Sequence, residues 1–201
     1  MLRSSFTRDL VEAGCDEAGR GCLAGPVVAA AVILPKKYKH KLLNDSKQLS
    51  KAERELLRID IQRDALAFAV AEVDNNEIDQ INILNASFKA MHLALEKLNM
   101  LPQLLLIDGN RFKSYNTIRH ECIIKGDATY LSIAAASILA KTHRDDLMVR
   151  HAEQFPGYGW LTNVGYPTIE HREGIKKLGQ TPLHRKTFRL LPEQLELFEE
   201  C

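Results

Sequence analysis

Two adjacent carboxylates, Asp16 and Glu17, end a short apolar run and stand directly before a Gly-Arg-Gly turn at residues 19–21. Another apolar run, over residues 25–34, follows the turn and predicts a buried strand. Burying an acidic pair at the end of a core strand costs free energy unless a partner compensates the charge, and a divalent cation would do so. The glycines give close access to backbone donors, and the arginine adds a forked cation. This combination is typical of a site that handles phosphate.

Two later apolar runs also end in acids. Residues 104–107 lead into Asp108, and a run near residues 118–124 leads into Asp127. In an open α/β sheet, binding sites form at the carboxyl ends of the strands. Any single Asp beside a glycine is also an ordinary turn, so one such run decides little. Three together predict a shared metal site.

The elements that must position these acids follow from apolar spacing and from capping residues. Ser50 and Glu53 form a capping box, which predicts the start of a helix. Apolar residues at three- and four-residue spacing predict an amphipathic helix over residues 80–99. Strands that alternate with helices indicate an α/β fold. The predicted strands cover residues 10–34 (two strands), 66–73, 104–108 and 118–124, and the predicted helices cover residues 50–64, 80–99 and 129–154.

The last quarter of the chain is predicted to be loop and short helix. A Pro-Gly pair at residues 156–157 breaks the preceding helix, and we expect loop as far as Pro167. Thr168 can cap a helix of about three turns, and Gly179 can end it. Pro192 is expected to open a final short helix.

Composition bounds the class of protein. The chain has 201 residues, 45% of them hydrophobic, which suits one globular domain. No apolar run reaches the length of a membrane span, and the N-terminus lacks the apolar centre of a signal peptide. Four cysteines without zinc-type spacing favour a reducing compartment. We therefore expect a cytoplasmic protein that contacts no membrane.

Charge is distributed unevenly although the net charge is only +1. Residues 164–190 hold six Lys or Arg residues and two acids, whereas residues 191–201 hold four glutamates and no Lys or Arg. The basic segment is either a solvated helix face or a track for phosphates. Composition alone does not separate these two alternatives.

Seven short motifs occur in the order of one enzyme family. The chain resembles the bacterial type of ribonuclease HII, the type 2 ribonuclease H, from residue 15 to residue 188. The motifs are CDEAGRG (15–21), LNDSK (43–47), LIDGN (106–110), KGD (125–127), ASILAK (136–141) with Arg144 and Asp145, GYPT (165–168), and His184-Arg185 with Phe188.

The resemblance implies a fold, an activity and partners. It implies a ribonuclease H-like fold, a mixed five-stranded sheet flanked by helices with a small helical C-terminal part. Residues 1–201 would form a single domain, with a catalytic core at about 8–155 and the C-terminal part at about 156–201. The expected activity is endonucleolytic hydrolysis of RNA in RNA–DNA hybrids, and cleavage 5′ of single ribonucleotides in duplex DNA that leaves 3′-hydroxyl and 5′-phosphate ends. We expect a monomer without an obligatory protein partner, acting in ribonucleotide repair or hybrid removal.

The resemblance also assigns roles to particular residues. Catalysis would use two divalent ions, Mn²⁺ or Mg²⁺, held by acidic residues. The glycine-rich turn would read the ribonucleotide 2′-hydroxyl, and an aromatic ring would stack on the neighbouring sugar. The acids are Asp16, Glu17, Asp108 and Asp127, the turn is Gly19, Arg20 and Gly21, the ring is Tyr166, and the candidate phosphate contacts are Lys47, His184, Arg185 and Lys186.

The sequence departs from the family pattern at three positions. Val164 stands where lysine is frequent, so a phosphate contact would be missing there. Cys22 replaces a frequent proline, and Ala135 a common serine. The alternatives are another ribonuclease H-like metallonuclease, such as a junction resolvase, and a non-catalytic, metal-stabilised nucleic-acid binding module.

Overall fold

Five strands and five helices make up the described part of the protein, residues 2–43 and 49–191 of a computed structural model. A single 3-10 turn over Gly126–Ala128 follows the last strand. The strands are β1 (Glu12–Ala18), β2 (Val27–Ile33), β3 (Ala67–Val73), β4 (Leu104–Asp108) and β5 (Arg119–Ile123), and the helices are α1 (Lys51–Asp64), α2 (Asn75–Glu96), α3 (Leu131–Gln154), α4 (Trp160–Asn163) and α5 (Ile169–Leu178).

The strands form one mixed sheet in the order β3-β2-β1-β4-β5. β2 is antiparallel to both of its neighbours, whereas β1, β4 and β5 run parallel to one another. Cys15 pairs with Ile107, so the ends of β1 and β4 lie side by side. The predicted mixed five-stranded sheet is confirmed, and its register brings Asp16 next to Asp108.

Helices cover both faces of the sheet. Side chains alternate along a strand, so Ala13 and Cys15 pack in one core cluster with α2. Val28 and Ala30 of β2 pack in the opposite cluster with α1 and α3. Because this alternation continues to the end of β1, Asp16 and Glu17 start from opposite faces of the sheet.

The amphipathic helix α2 begins earlier than predicted and is kinked. It starts at Asn75, and Asp74 caps it by accepting a hydrogen bond from the Glu77 N–H. Asn82 has φ 65° and ψ 163°, which breaks the helix. Its side chain accepts from the N–H of Asn85 at 3.1 Å and so caps the second half. The apolar periodicity predicted this second half and missed the first turns.

The capping residues behave as predicted, but the loop before Thr168 is interrupted. The Ser50–Glu53 capping box is present at the start of α1. Thr168 accepts from the His171 N–H at the start of α5, and Gly179 with φ 81° ends it. The prediction of loop as far as Pro167 is wrong over α4, whose Trp160 is buried in an apolar cluster. The predicted helix at Pro192 lies outside the described residues.

Within the described ranges, no helix combines the length and the apolar character that crossing a membrane requires.

Gly14 of β1 allows the closest approach between the sheet and α3. A Cβ at this position would overlap the α3 backbone, with the Ser132 carbonyl oxygen only 2.6 Å away. The backbone cannot turn aside as a flexible side chain would. Glycine at this position therefore fixes the distance between β1 and the helix that carries Ser137 and Lys141.

We predict that Gly14→Ala lowers the free energy of unfolding by about 1–3 kcal/mol, because overpacking moves α3 off β1. Denaturant unfolding checks this. Gly21→Ala is the matched control, since a Cβ there meets no atom within 4 Å. Equal destabilisation by both variants would mean that the approach at Gly14 is not tight.

Candidate active site

Asp16 is a nearly buried carboxylate at the end of the central strand. Its side chain is 5% exposed, and it accepts a hydrogen bond from the Glu17 N–H at 2.7 Å. Burial raises the pKa of Asp16 well above its usual range, and the charges of Glu17 and Asp108 raise it further. A hydrogen bond from Ser137 of α3 opposes that rise. Three strand-end acids are therefore close enough to repel one another.

Glu17 shares this electrostatic environment. Its Oε1 lies 3.0 Å from the Arg20 Nη1, which ties the acid to the glycine-rich turn. Burial raises the pKa of the Glu17 carboxyl, Arg20 opposes the rise, and Asp108 adds to it. Glu17 is thus paired with Arg20. A metal ion would have to displace Arg20 or bind beside it.

Asp108 is hydrogen-bonded to the turn after β5, the turn that carries Asp127. The Gly126 N–H donates to the Asp108 Oδ1 at 2.7 Å. Asp127 follows in the 3-10 turn and is only 3% exposed. Lys125 enters this turn with φ 56°, the left-handed conformation that redirects the chain. One hydrogen bond thereby connects the segments that carry the two acids.

Across residues 2–43 and 49–191, no three His, Cys, Asp or Glu side chains are arranged to hold a metal ion as they stand. The acids accept from protein donors instead, as the Asp16, Glu17 and Asp108 contacts show. Oxygen ligands nevertheless suit a hard divalent cation, and the charge of Asp108 already raises the pKa of both Asp16 and Glu17. The residues present fit such an ion once their side chains turn towards it.

One cavity of about 260 Å³ brings together five of the predicted site residues, although the sequence separates them widely. They are Asp16, Glu17, Asp108, Gly19 and Tyr166. Asp127, Arg20 and Gly21 are not among the residues that line it. A larger cavity of about 740 Å³ lies near Asp79 and His92, so cavity size alone does not locate the acids. The smaller cavity is lined by Asp16, Glu17, Ala18, Gly19, Arg54, Asp108, Ser137, Lys141 and Tyr166.

Sequence reasoning assigned no role to three of these lining residues. Ser137 and Lys141 lie one turn apart on α3, inside the ASILAK motif at residues 136–141. The Lys141 Nζ lies 2.6 Å from the Asp145 Oδ1 and 5.9 Å from the centre of the Tyr166 ring. Arg54 of α1 carries no local signal that could have identified it. Lys141 and Arg54 bring positive charge to the cavity.

The predicted phosphate contact Arg185 is placed differently by the structure. Its side chain is 0% exposed, and its guanidinium donates to the carbonyls of Gly19 at 2.7 Å and Arg20 at 2.9 Å. Further bonds reach the carbonyls of Gly25 and Pro26. Burial lowers the pKa of Arg185 to about 10, so the group stays charged at neutral pH. Arg185 holds the backbone of the glycine-rich loop and presents no side-chain surface to a phosphate.

His184 is also fully buried. Its Nδ1 accepts from the Thr181 N–H at 2.9 Å, and its Nε2 lies 3.2 Å from the His171 Nε2. Burial, together with a smaller contribution from His171, lowers the pKa of His184 to about 4. The expected phosphate contact is therefore a neutral interior residue. The Lys186 side chain is exposed and suits that role, whereas Lys47 lies outside the described residues.

A second buried arginine, Arg144 of α3, joins the two loops around the cavity. It donates to the carbonyls of Ala24 at 3.0 Å and Pro26 at 3.0 Å on one side, and of Val164 at 2.7 Å on the other. Val164 has φ 42° and ψ 36°, a strained conformation for a β-branched residue. Its side chain packs in an apolar cluster, so Val164 faces the protein interior.

Comparisons with known proteins identify the family. The family model for ribonuclease HII matches residues 13–191. The ribonuclease HII of Cytophaga hutchinsonii is 62% identical over 198 residues, which cover 98% of each chain. This chain belongs to the ribonuclease HII family. The enzyme is therefore a ribonuclease H, a hydrolase that acts as an endonuclease on RNA–DNA hybrids.

Solved structures confirm the ribonuclease H-like fold of this ribonuclease HII. The ribonuclease H2 of Pyrococcus horikoshii OT3 superposes with a TM-score of 0.73 at 28% identity, covering 89% of this chain and 94% of that one. Bst-RNase HIII, solved in complex with Mn²⁺, has a TM-score of 0.64 at 20% identity, covering 90% and 68% of the two chains. The second likeness concerns the fold alone.

We predict that Asp16→Asn raises the melting temperature of the ribonuclease HII in chelator by a few degrees, since about 1 kcal/mol corresponds to 2–4 °C at this chain length. The substitution removes a buried charge that Glu17 and Asp108 repel. Asp9→Asn, at an exposed position, should change the free energy of unfolding by less than about 0.5 kcal/mol. A lower melting temperature for Asp16→Asn would contradict the repulsion.

Proposed function

We propose that this ribonuclease HII cuts on the 5′ side of single ribonucleotides in duplex DNA, in addition to its action on RNA–DNA hybrids, and leaves 3′-hydroxyl and 5′-phosphate ends. One observation carries the proposal. The Gly19 backbone, the Tyr166 ring and the acids Asp16, Glu17 and Asp108 line one cavity. The Gly19 backbone, which could distinguish ribose from deoxyribose, therefore lies beside the acids that would act on the phosphate.

The glycine-rich turn is suited to reading a 2′-hydroxyl, the group that distinguishes RNA from DNA. Arg185 occupies the carbonyls of Gly19 and Arg20. Since the Arg20 side chain pairs with Glu17, the turn would offer a substrate its N–H groups rather than its carbonyls. Open space surrounds the Gly21 Cα, which permits close approach of a sugar. This supports a role for the turn in selecting the ribonucleotide.

Tyr166 is suited to the nucleotide on the 3′ side of the ribonucleotide. The residue is 39% exposed, and its ring borders the cavity. A planar ring against a sugar leaves little room for a hydroxyl on that face, so deoxyribose is favoured there. Together, the turn and the ring would select a junction with ribose on one side and deoxyribose on the other.

The proposed mechanism uses two divalent ions, Mg²⁺ or Mn²⁺, that Asp16, Glu17, Asp108 and Asp127 would hold. When bound, such ions supply an activated water and stabilise the leaving oxygen. Ser137 orients the Asp16 carboxylate, and the Gly126 N–H orients Asp108. Lys141 and Arg54 would bind the phosphates that flank the scissile bond, since both line the cavity.

We predict that Asp108→Asn lowers single-turnover cleavage in Mg²⁺ by at least about 100-fold, because the transition state loses electrostatic stabilisation from the ion that this charge holds. Asparagine still offers an oxygen to the Gly126 N–H, so the turn should persist. Substrate affinity should be retained, since phosphate contacts dominate it. The rise in melting temperature on adding millimolar Mn²⁺ should shrink in the variant. Cleavage near the wild-type rate would refute the metal assignment.

We predict that Tyr166→Ala lowers cleavage at a single ribonucleotide by roughly tenfold to 100-fold, from a stacking contribution of about 1–3 kcal/mol. Tyr166→Phe keeps the ring and should retain most of the activity. Single-turnover assays on a duplex with one ribonucleotide make the measurement. If the phenylalanine variant loses activity and the alanine variant does not, stacking is not the role of Tyr166.

A further inference from the structure

A chain of buried hydrogen bonds runs from Thr181 to the backbone of Tyr166. The Thr181 N–H meets the His184 Nδ1 at 2.9 Å, and the His184 Nε2 lies 3.2 Å from the His171 Nε2. The His171 Nδ1 then lies 2.9 Å from the Tyr166 carbonyl oxygen. Trp160 donates its indole N–H to the His171 Nε2 at 2.9 Å. Both imidazoles are fully buried.

The hydrogen-bond partners determine which ring nitrogen of His171 and of His184 carries the proton. Because the His184 Nδ1 faces an N–H donor, it accepts, and the proton of the ring lies on Nε2. That Nε2–H donates to the His171 Nε2, which also accepts from Trp160. The proton of His171 therefore lies on Nδ1 and donates to the Tyr166 carbonyl. The chain has one direction, and it ends on the residue whose ring borders the cavity.

Both histidines must stay neutral for the chain to persist. A second proton on His184 would face the Thr181 N–H, and one on His171 would face the donors of Trp160 and His184. Burial lowers the pKa of both rings. At His171, hydrogen bonds to the Tyr166 and Gly165 carbonyls oppose this shift, and Arg172 adds to it, so that the pKa remains below its usual value. Both rings are neutral at the pH of an ordinary cleavage assay.

The segment that carries His184 also holds the glycine-rich loop. The Arg185 N–H donates to the Leu23 carbonyl at 2.8 Å, and the Gly25 N–H donates to the Leu183 carbonyl at 2.9 Å. The next side chain, Arg185, binds the carbonyls of Gly19 and Arg20. Two consecutive residues thus connect one segment to both elements that border the cavity.

We propose that His171 and His184 are positioning residues that set the placement of Tyr166 against the glycine-rich turn, and thereby the preference for a ribonucleotide–DNA junction. The proposal rests on the stacking role of Tyr166 proposed above. Gly165, with φ 87°, and Pro167 flank Tyr166, which lies outside the helices and strands. Its N–H donates to the Asn163 carbonyl at 2.9 Å, and its carbonyl accepts from the Thr168 N–H at 2.8 Å. The bond from His171 to the same carbonyl is the side-chain contact that ties Tyr166 to the protein interior.

Two substitutions of His171 separate the contact with Tyr166 from the contacts with the interior. In His171→Gln the side-chain oxygen can replace Nε2 and accept from Trp160 and His184. The Tyr166 carbonyl then loses its only side-chain donor among the described residues and keeps the Thr168 N–H. In His171→Asn the amide N–H can replace Nδ1–H, but Trp160 is left with an unsatisfied buried donor, which costs stability.

The experiment measures two single-turnover rates for each variant, on a duplex with one ribonucleotide and on an all-RNA strand paired with DNA. The junction preference is the first rate divided by the second. A change in the catalytic acids alters both rates alike and therefore cancels in this ratio. His171→Gln should lower the ratio about fivefold, the net effect of one hydrogen bond, with little change in melting temperature. His171→Asn should melt lower and keep the ratio. His184→Asn, which retains an acceptor for Thr181 alone, should lower the ratio less.

The double variant Tyr166→Ala/His171→Gln completes the cycle, and its ratio should equal that of Tyr166→Ala. The proposal would be overturned if His171→Gln lowered the ratio by the same factor in the presence and in the absence of the Tyr166 ring. It would also be overturned if the ratio fell in step with the melting temperature across the histidine variants. If Tyr166→Ala lowers the ratio but His171→Gln does not, the positioning role alone fails. A wild-type ratio for Tyr166→Ala would remove the role of Tyr166 and, with it, this proposal.

Discussion

The desolvation of Asp16 is the constraint on which the arrangement of this enzyme depends. The carboxylate sits at the end of the central strand, with Glu17 beside it and Asp108 on the neighbouring strand. Sheet pairing on both sides of β1 prevents the backbone from moving this group into water. The surrounding protein offers only partial compensation, from Ser137 and one backbone N–H. The remaining electrostatic cost is what a bound cation would offset, so the fold holds its acids in a state that favours cation binding.

The substrate-facing loops are organised by a different principle, the binding of backbone carbonyls by buried guanidiniums. Arg144 and Arg185 donate to carbonyls in both loops and so fix the main chain of each loop. Because the carbonyls belong to the main chain, these bonds do not depend on the loop side chains, except where Gly19, Gly25 and Gly165 leave no room for a Cβ. The position of each loop backbone therefore depends on the two arginines more than on most of the loop side chains.

Local signals predicted much of the fold. The capping box at Ser50 and the apolar strands depend on residues within a few positions of one another, and the structure has both. The kink at Asn82 was not predictable, because an asparagine in a helical pattern does not reveal a positive φ. The family resemblance suggests Arg185 as a phosphate contact, a role that requires an exposed guanidinium. Its burial depends on the Gly25 carbonyl, 160 positions away, which no local pattern encodes. The roles of the four acids, the glycine-rich turn and Tyr166 remain predictions.

The two interior arginines have a consequence for how the enzyme meets a polyanion. In the described part of the chain, neither guanidinium forms an ion pair with a carboxylate, so two full positive charges stand beneath the loops of the cleft. Buried charges are screened by salt much less than surface ones. Their field therefore extends into the cleft at ionic strengths that weaken surface lysines, and it accelerates encounter with nucleic acid. A net charge of +1 understates the attraction that a duplex experiences as it approaches this face.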